Sequence, residues 1–534
     1  MLSNFSQFFY KRASPYIRSA GWLLGGGFVM GLTPVAAWLL AWVAMVPLWW
    51  LAGDALEGRY SLKRSLILAG VWGVGYHGAA LWWITGIHPL MWMGMSWLGS
   101  IAIALFAWAF ITLWGAAIGM TWLCLLTMVN RYYVALRGAA EVSGGIQVLT
   151  GTALWCAVEW VWSKGPLYWT SLSYTQSPGN LWILQLGQLS GPITITASIV
   201  AVNGLLTLGI RRSGQTQATP YRYVYPIALF ALVHLLGGGL YSIPLQNNPE
   251  QALRVGLIQG NIPTNEKLSA TGIKASRQVY LQGYETLADA NVDMVITPEG
   301  AIPQRWSAFL QDRDLLQRAV IRRGVPLVLG TFVHQQIDDD QTPLTQSLLT
   351  LTPTGEVAGR YNKVKLVPLG EYLPFEDVLG DFVRKFSPFG AGMVPGGFDQ
   401  TLITPSGPVA AGICYESAFT SLFRQQVRNG GEVIFTASNN DPYPPRQMMQ
   451  HHAQDVMRSV ETNRWAVRVT NTGISGVVTP KGQTLWVSNP NEYVTHVAEV
   501  YRRQTRSLYV RIGDWLTPLL LAISAMAIRR PAKH

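Results

Sequence analysis

Three residues carry the chemistry that this sequence offers. Cys414 lies in Pro408-Val-Ala-Ala-Gly-Ile-Cys414-Tyr-Glu-Ser-Ala-Phe419, where a short apolar run opens into a polar, aromatic turn. A sulfur at the exit of a buried strand is held firmly and faces a cleft, which suits a nucleophile. Free cysteine is also among the most buried residue types, so alone it reads equally well as a core thiol. Its company separates the readings. Glu299 follows a second apolar run, Val292-Asp-Met-Val-Ile-Thr-Pro-Glu299, and Lys363 opens a third segment, Arg360-Tyr-Asn-Lys363-Val-Lys-Leu-Val-Pro-Leu-Gly-Glu371-Tyr372. A carboxylate, a cation and a thiol, each beside a strand-like run, suit acyl transfer through a thioester.

The elements that must position them alternate. Strand-like runs at Leu253–Gln259, Met294–Thr297, Pro326–Val333, Ser347–Thr352, Val409–Cys414, Val433–Ala437 and Trp465–Thr470 are separated by helical patterns at Lys274–Ala290, Phe309–Arg323 and Gln450–Asn463. Thr352-Pro-Thr-Gly-Glu356 and Thr479-Pro-Lys-Gly-Gln483 read as hairpin turns. The alternation predicts a layered α/β domain over residues 250–506. Within it, Asp338–Asp340 reads as a solvated loop. His451-His452 invites a metal reading, but no carboxylate or cysteine stands at ligand spacing, and a helix face accounts better for the pair. No metal and no cofactor are expected.

The rest of the chain is apolar. Of 534 residues, 49% are hydrophobic and only 13% charged, against roughly a quarter in soluble domains. The deficit falls on residues 1–245, which hold about seven candidate membrane helices near 19–33, 35–53, 66–86, 97–128, 147–162, 187–210 and 223–243. An eighth, near 512–528, lies in the 508–534 segment, which ends in a cytoplasmic tail. The first two meet at Thr33-Pro34 as a helical hairpin, and the fourth is long enough to tilt or extend into water. Residues 1–33 have the basic start and apolar core of a secretory signal. The next span follows at once, with no small-residue cleavage site, so they read as a retained span.

Basic residues sort the spans. Lys11, Arg12 and Arg18, then Arg59, Lys63 and Arg64, then Arg131 and Arg137, then Arg211, Arg212 and Arg222, and finally Arg529, Arg530 and Lys533 all fall on one side. The opposite loops are nearly free of them. Both termini are therefore expected in the cytoplasm and the 250–506 domain outside. The net charge of +11 follows from that topology, and no basic run interleaves with aromatics as nucleic-acid binding requires. Cys124 and Cys156 fall in spans, leaving Cys414 without a partner in the exported domain; a catalytic role explains a free thiol there. His77, Glu159 and His234 lie within spans, where ionisable groups often mark function, though Glu159 is near an outer end. Glycine triplets 25–27 and 237–239 read as helix-packing sites, since no Walker-type lysine follows.

Motifs around the three residues carry a resemblance. Glu299 after Thr-Pro, Lys363 before Leu-Val-Pro and Cys414 after Gly-Ile resemble the Glu-Lys-Cys triad of the nitrilase superfamily, which implies a four-layer α-β-β-α sandwich. More narrowly, Ile258-Gln-Gly-Asn-Ile-Pro263, Tyr361–Tyr372 and Gly412-Ile-Cys-Tyr-Glu416 are similar to the bacterial apolipoprotein N-acyltransferase family. Glu159-Trp160 and Gln185-x-Gly-x-x-x-Gly191 are similar to that family's fifth and sixth spans, and eight spans flanking one nitrilase-like domain is its layout. The chain departs from the family at Thr297, where the family usually has Trp. It departs again at Ser438-Asn-Asn-Asp-Pro-Tyr-Pro-Pro445, where the family reads Asn-Asp-Ala-Trp-Phe-Gly, which leaves acyl-chain and acceptor preference open.

The resemblance implies roles and substrates. Cys414 attacks as a thiolate, Glu299 is the general base, and Lys363 with the Tyr415 N–H holds the oxyanion. Glu371 orients Lys363 or the amine, while Tyr415 and Glu416 shape the pocket. The donor is a phospholipid, phosphatidylethanolamine-like, and the acceptor is the α-amine of a diacylglyceryl-cysteine on a lipoprotein. The implied site is the periplasmic face of a bacterial inner membrane, and the implied state is a monomer without nucleic-acid partners. The Gly/Pro-rich 385–398 stretch is a candidate loop for keeping water from the thioester. Two alternatives share these residues: a membrane-tethered amidase or nitrilase-type hydrolase, and a scaffold domain without turnover.

Overall fold

Long apolar segments become helices in the amino-terminal half, because a helix satisfies its backbone donors and acceptors within the segment. The computed structural model describes residues 15–137, 143–211, 223–306, 315–335, 343–368, 370–372 and 393–529. They form two units. One holds residues up to Thr85, Ala102–Leu240 and the segment from Asp514; the other holds Gly86–Ile101 and Tyr241–Gly513. Asp338–Asp340, most of the 385–398 stretch, and the basic residues Lys11, Arg12, Arg212, Arg222, Arg530 and Lys533 lie outside the described residues.

The long helices are Pro15–Leu32, Val46–Leu56, Leu62–Ala80, Trp97–Arg137, Gly144–Trp162, Ile193–Arg211, Val224–Ser242 and Leu516–Arg529. Among the described residues, four stretches are long and apolar enough to cross a membrane: Trp38–Leu56, Trp97–Ala135, Ile193–Arg211 and Val224–Ser242. Leu516–Arg529 is apolar but shorter. The helix Trp97–Arg137 has 41 residues, about 60 Å at 1.5 Å per residue, twice a hydrocarbon core of roughly 30 Å. The sixth helix starts at Ile193 rather than near 187, because Gly191, at φ 73°, and Pro192 part it from the short turn Gly187–Ser190.

Glycines of both triplets pack helices. A Cβ on Gly27 would lie 1.9 Å from the Trp72 carbonyl oxygen, and one on Gly237 would lie 2.1 Å from that of Trp182. The ionisable groups of the spans find partners. Glu159 turns inward, accepting from Trp155 Nε1 (3.1 Å), Ser171 Oγ (2.5 Å) and Thr196 Oγ1 (3.0 Å), so it does not reach for an interface. His77 meets Thr170 at 2.7 Å, and His234 meets Asn180 at 3.0 Å. Arg211 pairs with Asp54 and Glu57.

Among the described residues, the second unit has thirteen strands. The first sheet uses β1 (Ala252–Gln259), β2 (Met294–Ile296), β3 (Arg305–Trp306), β4 (Leu327–His334), β5 (Leu344–Leu351), β6 (Val357–Asn362) and β13 (Val494–Tyr501). Its order is β13-β1-β2-β4-β5-β6, with β3 also on β4. The second sheet uses β7 (Leu402–Thr404), β8 (Gly407–Ile413), β9 (Ile434–Ser438), β10 (Ala466–Thr470), β11 (Gly476–Val478) and β12 (Thr484–Val487), in the order β12-β11-β10-β9-β8-β7. Each sheet has a parallel centre, β1-β2-β4 and β8-β9-β10, with antiparallel flanks. Both hairpin turns form, closing β5-β6 and β11-β12.

Strand periodicity sorts the core. Leu253, Val255, Leu257 and Val328 of the first sheet share one cluster with Val409, Ala411, Phe435 and Val467 of the second. Ile258, Val295, Leu327 and Leu329 face the other way, toward Tyr280, Tyr284 and Leu316 of helices Ala270–Ala288 and Leu315–Arg323. Helices Thr420–Arg428 and Pro445–Thr462 pack on β8 and β10.

The turn after β2 depends on a glycine. Thr297 is fully buried; its hydroxyl donates to the Val328 carbonyl at 3.2 Å and accepts from the Gly330 N–H at 3.0 Å. A Cβ on Gly330 would lie 2.0 Å from the Pro298 carbonyl oxygen, a backbone atom with no room to move. Gly330→Ala is therefore expected to cost about 3 kcal/mol or more, read as a lowered unfolding temperature; an unchanged one would contradict this packing.

Candidate active site

Four strands deliver the site from their carboxyl ends. β8 stops at Ile413, and Cys414 turns out of it with φ at 52°, opening the 3-10 turn Cys414–Ala418. A left-handed backbone at a non-glycine residue costs about 1–3 kcal/mol, so its surroundings must hold it. Glu416 does much of that. Fully buried, its carboxylate accepts from the backbone N–H groups of Ile413 (2.7 Å), Val364 (2.6 Å) and Lys365 (3.0 Å) and from the Tyr361 hydroxyl (2.9 Å). It thereby ties the cysteine's turn to the segment that carries Lys363. Burial pushes the Glu416 carboxyl up to about 7, against the pull of those N–H groups.

Lys363 follows β6 and is fully buried. Its ammonium donates to Glu299 Oε1 at 2.8 Å and to Glu371 Oε1 at 2.5 Å. Burial disfavours the charge, but the two carboxylates override it and hold the lysine well above its ordinary value. Glu371 is raised by burial and by Glu299 despite Lys363, and its other oxygen accepts from the Val367 N–H at 2.9 Å. Glu299 Oε2 accepts from the Asn439 N–H, at the exit of β9, at 2.7 Å.

The Cys414 thiol donates to the Asn439 carbonyl oxygen at 3.8 Å. Burial, then the Glu299 charge, raise the thiol above the ordinary cysteine value, more than Lys363 lowers it. That direction favours a thiol at rest, as a general base that accepts its proton requires. Tyr415 is half-buried and meets Phe419 edge-on at 4.9 Å. Among the described residues, no three His, Cys, Asp or Glu side chains group to hold a metal.

With this geometry stand the likenesses to known proteins. Residues 254–509 match the family model described as Carbon-nitrogen hydrolase, and residues 24–205 match Apolipoprotein N-acyltransferase N-terminal domain. An apolipoprotein N-acyltransferase of Nostoc sp. is 45% identical over 501 residues, covering 93% of this chain and 96% of that one. Another, from Thermosynechococcus vestitus, is 43% identical over 511 residues, covering 96% and 94%. This chain belongs to the apolipoprotein N-acyltransferase family. It is an acyltransferase with a nitrilase-like carbon-nitrogen hydrolase fold in its carboxy-terminal half. Among solved structures, an amidase from Nesterenkonia sp. is 18% identical with a TM-score of 0.38, covering 52% of this chain and 99% of that one.

The acyltransferase brings Glu299, Lys363, Glu371 and Cys414 together and puts Glu416 behind them. It also holds residues that the sequence reading passed over. Lys267, 4% exposed, donates from Nζ to the Glu299 backbone carbonyl at 3.1 Å, and burial lowers it to about 8. It stands four residues past the Gly-Asn-Ile-Pro motif, the one signal available. Asn439 acts through its backbone, which composition does not reveal. In the atypical 438–445 loop, the Tyr443 phenol is raised by burial first, then by the Cys414, Glu371 and Glu299 charges.

Removing the buried cation should cost stability as well as activity. Lys363→Met leaves two carboxylates facing each other in the interior, an expected loss of about 3–5 kcal/mol. Adding Glu371→Gln should restore part of the unfolding temperature but none of the acyl transfer. Equal melting of native and Lys363→Met proteins would contradict the pairing.

Proposed function

We propose that this acyltransferase moves an acyl chain from a phospholipid, phosphatidylethanolamine-like, to the α-amine of diacylglyceryl-cysteine on apolipoproteins, by ping-pong catalysis through a Cys414 thioester. The observation that carries this reading is the Glu299–Lys363 pair at 2.8 Å, whose two charges both act on the Cys414 thiol. As sulfur attacks the ester carbonyl, the thiol proton passes to Glu299. Lys363 and the Tyr415 N–H stabilise the oxyanion. The ester C–O bond then breaks, and Glu299 returns the proton to the departing lysophospholipid alkoxide. In the second half the amine attacks the thioester, Glu299 takes its proton, and the C–S bond breaks to regenerate the thiol. Glu371 keeps Lys363 aimed, Glu416 fixes the turn, and Tyr415 lines the pocket.

Both substrates are lipid-borne, so the reading includes a membrane frame: a 1–245 bundle, a 250–506 catalytic domain and a 508–534 terminal helix with tail. It has about eight spans in a bacterial inner membrane, both termini cytoplasmic and the catalytic domain periplasmic. The pairing of Arg211 with Asp54 and Glu57 supports it, since these residues end spans that the topology sends to one face. The catalytic domain is read as a four-layer α-β-β-α sandwich, supported by clusters on both faces of the first sheet and by helices on the second. The chain acts as a monomer. Likeness to acyltransferases over nine-tenths of the chain favours amine over water as acceptor, against the hydrolase.

The test is the intact mass of detergent-purified protein after incubation with phosphatidylethanolamine. A hydroxylamine-labile gain of one acyl chain is expected, absent in Cys414→Ala and discharged by a diacylated lipopeptide. An unmodified protein that released free fatty acid would mean a hydrolase instead.

A further inference from the structure

His451 was expected only to occupy a helix face, yet it reaches the nucleophile's backbone. It is fully buried on the Pro445–Thr462 helix, with Nε2 2.7 Å from the Cys414 carbonyl oxygen. A carbonyl only accepts, so Nε2 carries the proton. Nδ1 is then an acceptor, and Asn440 Nδ2 donates to it at 2.9 Å. The same Nδ2 donates to Gln447 Oε1 at 2.9 Å, while Asn440 Oδ1 accepts from Arg468 Nη2 at 3.3 Å. A guanidinium only donates, so Arg468 fixes the amide's orientation, and the amide fixes the imidazole's tautomer. Arg468 is itself buried and paired with Asp455 at 2.5 Å. Burial, reinforced by Arg468, holds His451 well below its ordinary value and keeps it neutral.

The bond falls on a consequential peptide. In the trans peptide from Cys414 to Tyr415, the C=O and N–H point in opposite directions. Holding the carbonyl toward the helix thus aims the Tyr415 N–H the other way. A non-glycine residue adopts φ 52° rarely, so this turn needs contacts that hold it.

We propose that His451 is a positioning residue for acyl transfer, aiming the Tyr415 N–H at the oxyanion by gripping the Cys414 carbonyl, with its tautomer set by Asn440 and Arg468. This rests on the thioester reading above. A nearby glycine permits the chain of bonds: a Cβ on Gly473 would lie 2.3 Å from Asn440 Oδ1.

The test uses full-length protein in detergent and phosphatidylethanolamine with a carbon-13 ester carbonyl. Single-turnover acylation and the infrared carbonyl stretch of the acyl-enzyme are compared in native, His451→Leu, His451→Gln and Gly473→Ala proteins. His451→Leu should slow acylation about 10- to 100-fold, less than deleting an oxyanion donor outright, with KM near native. Its thioester stretch should move to higher frequency as the hydrogen bond weakens. His451→Gln keeps an N–H donor and should recover both readouts, while Gly473→Ala, which displaces Asn440, should fall between. If His451→Leu fails to fold, the other two variants decide. A native protein that forms no thioester overturns this role together with the thioester reading. A native thioester whose frequency persists in every folded variant, even with lowered rates, overturns the His451 role alone.

Discussion

A lysine without access to water, held between two carboxylates, is the constraint from which the site follows. A buried ammonium is tolerable only with partners at hydrogen-bond distance, and Lys363 has Glu299 at 2.8 Å and Glu371 at 2.5 Å. Glu299 follows β2, while Lys363 and Glu371 share the segment after β6, so the first sheet must bring those two exits together before the charge can be buried. Glu416, gathering N–H groups from both the lysine's segment and the cysteine's turn, locks that arrangement from behind. Glu299 is then a carboxylate pinned on both oxygens, by Lys363 and by the Asn439 N–H.

The fold serves that cluster through its parallel strands. In each sheet the parallel centre sends successive strand exits in one direction, and Glu299, Cys414 and Asn439 all leave by that route. The glycines that matter mark close approaches: Gly330 against the turn before Glu299, and Gly473 against Asn440. The helical half obeys the same accounting. Glu159 is surrounded by donors, and the triplet glycines let helix backbones touch.

Much of this was legible in the sequence, for identifiable reasons. The central strands are continuous apolar runs buried on both faces, so their positions were readable within a few residues. Short or half-exposed strands were not: β3 has two residues, and β13 is polar and half-exposed. Val409–Cys414 was read as one strand, but it ends at Ile413, because nothing in composition reveals a left-handed cysteine. Glu299, Lys363, Glu371 and Cys414 stood out by type and neighbourhood. Lys267 did not, and His451 was noticed only as one of a histidine pair, because each acts on a backbone carbonyl that only tertiary structure brings near.

The central claim is that Cys414 rests as a thiol and that Glu299 takes its proton only during attack. A preformed thiolate would make Glu299 a spectator in the first step. The direct measurement is thiolate ultraviolet absorbance against pH, as the difference between native and Cys414→Ala proteins. The group's value is raised on folding, so no thiolate signal should develop up to the ordinary cysteine value of 9.0. A thiolate signal that titrates in near neutral pH would contradict the account.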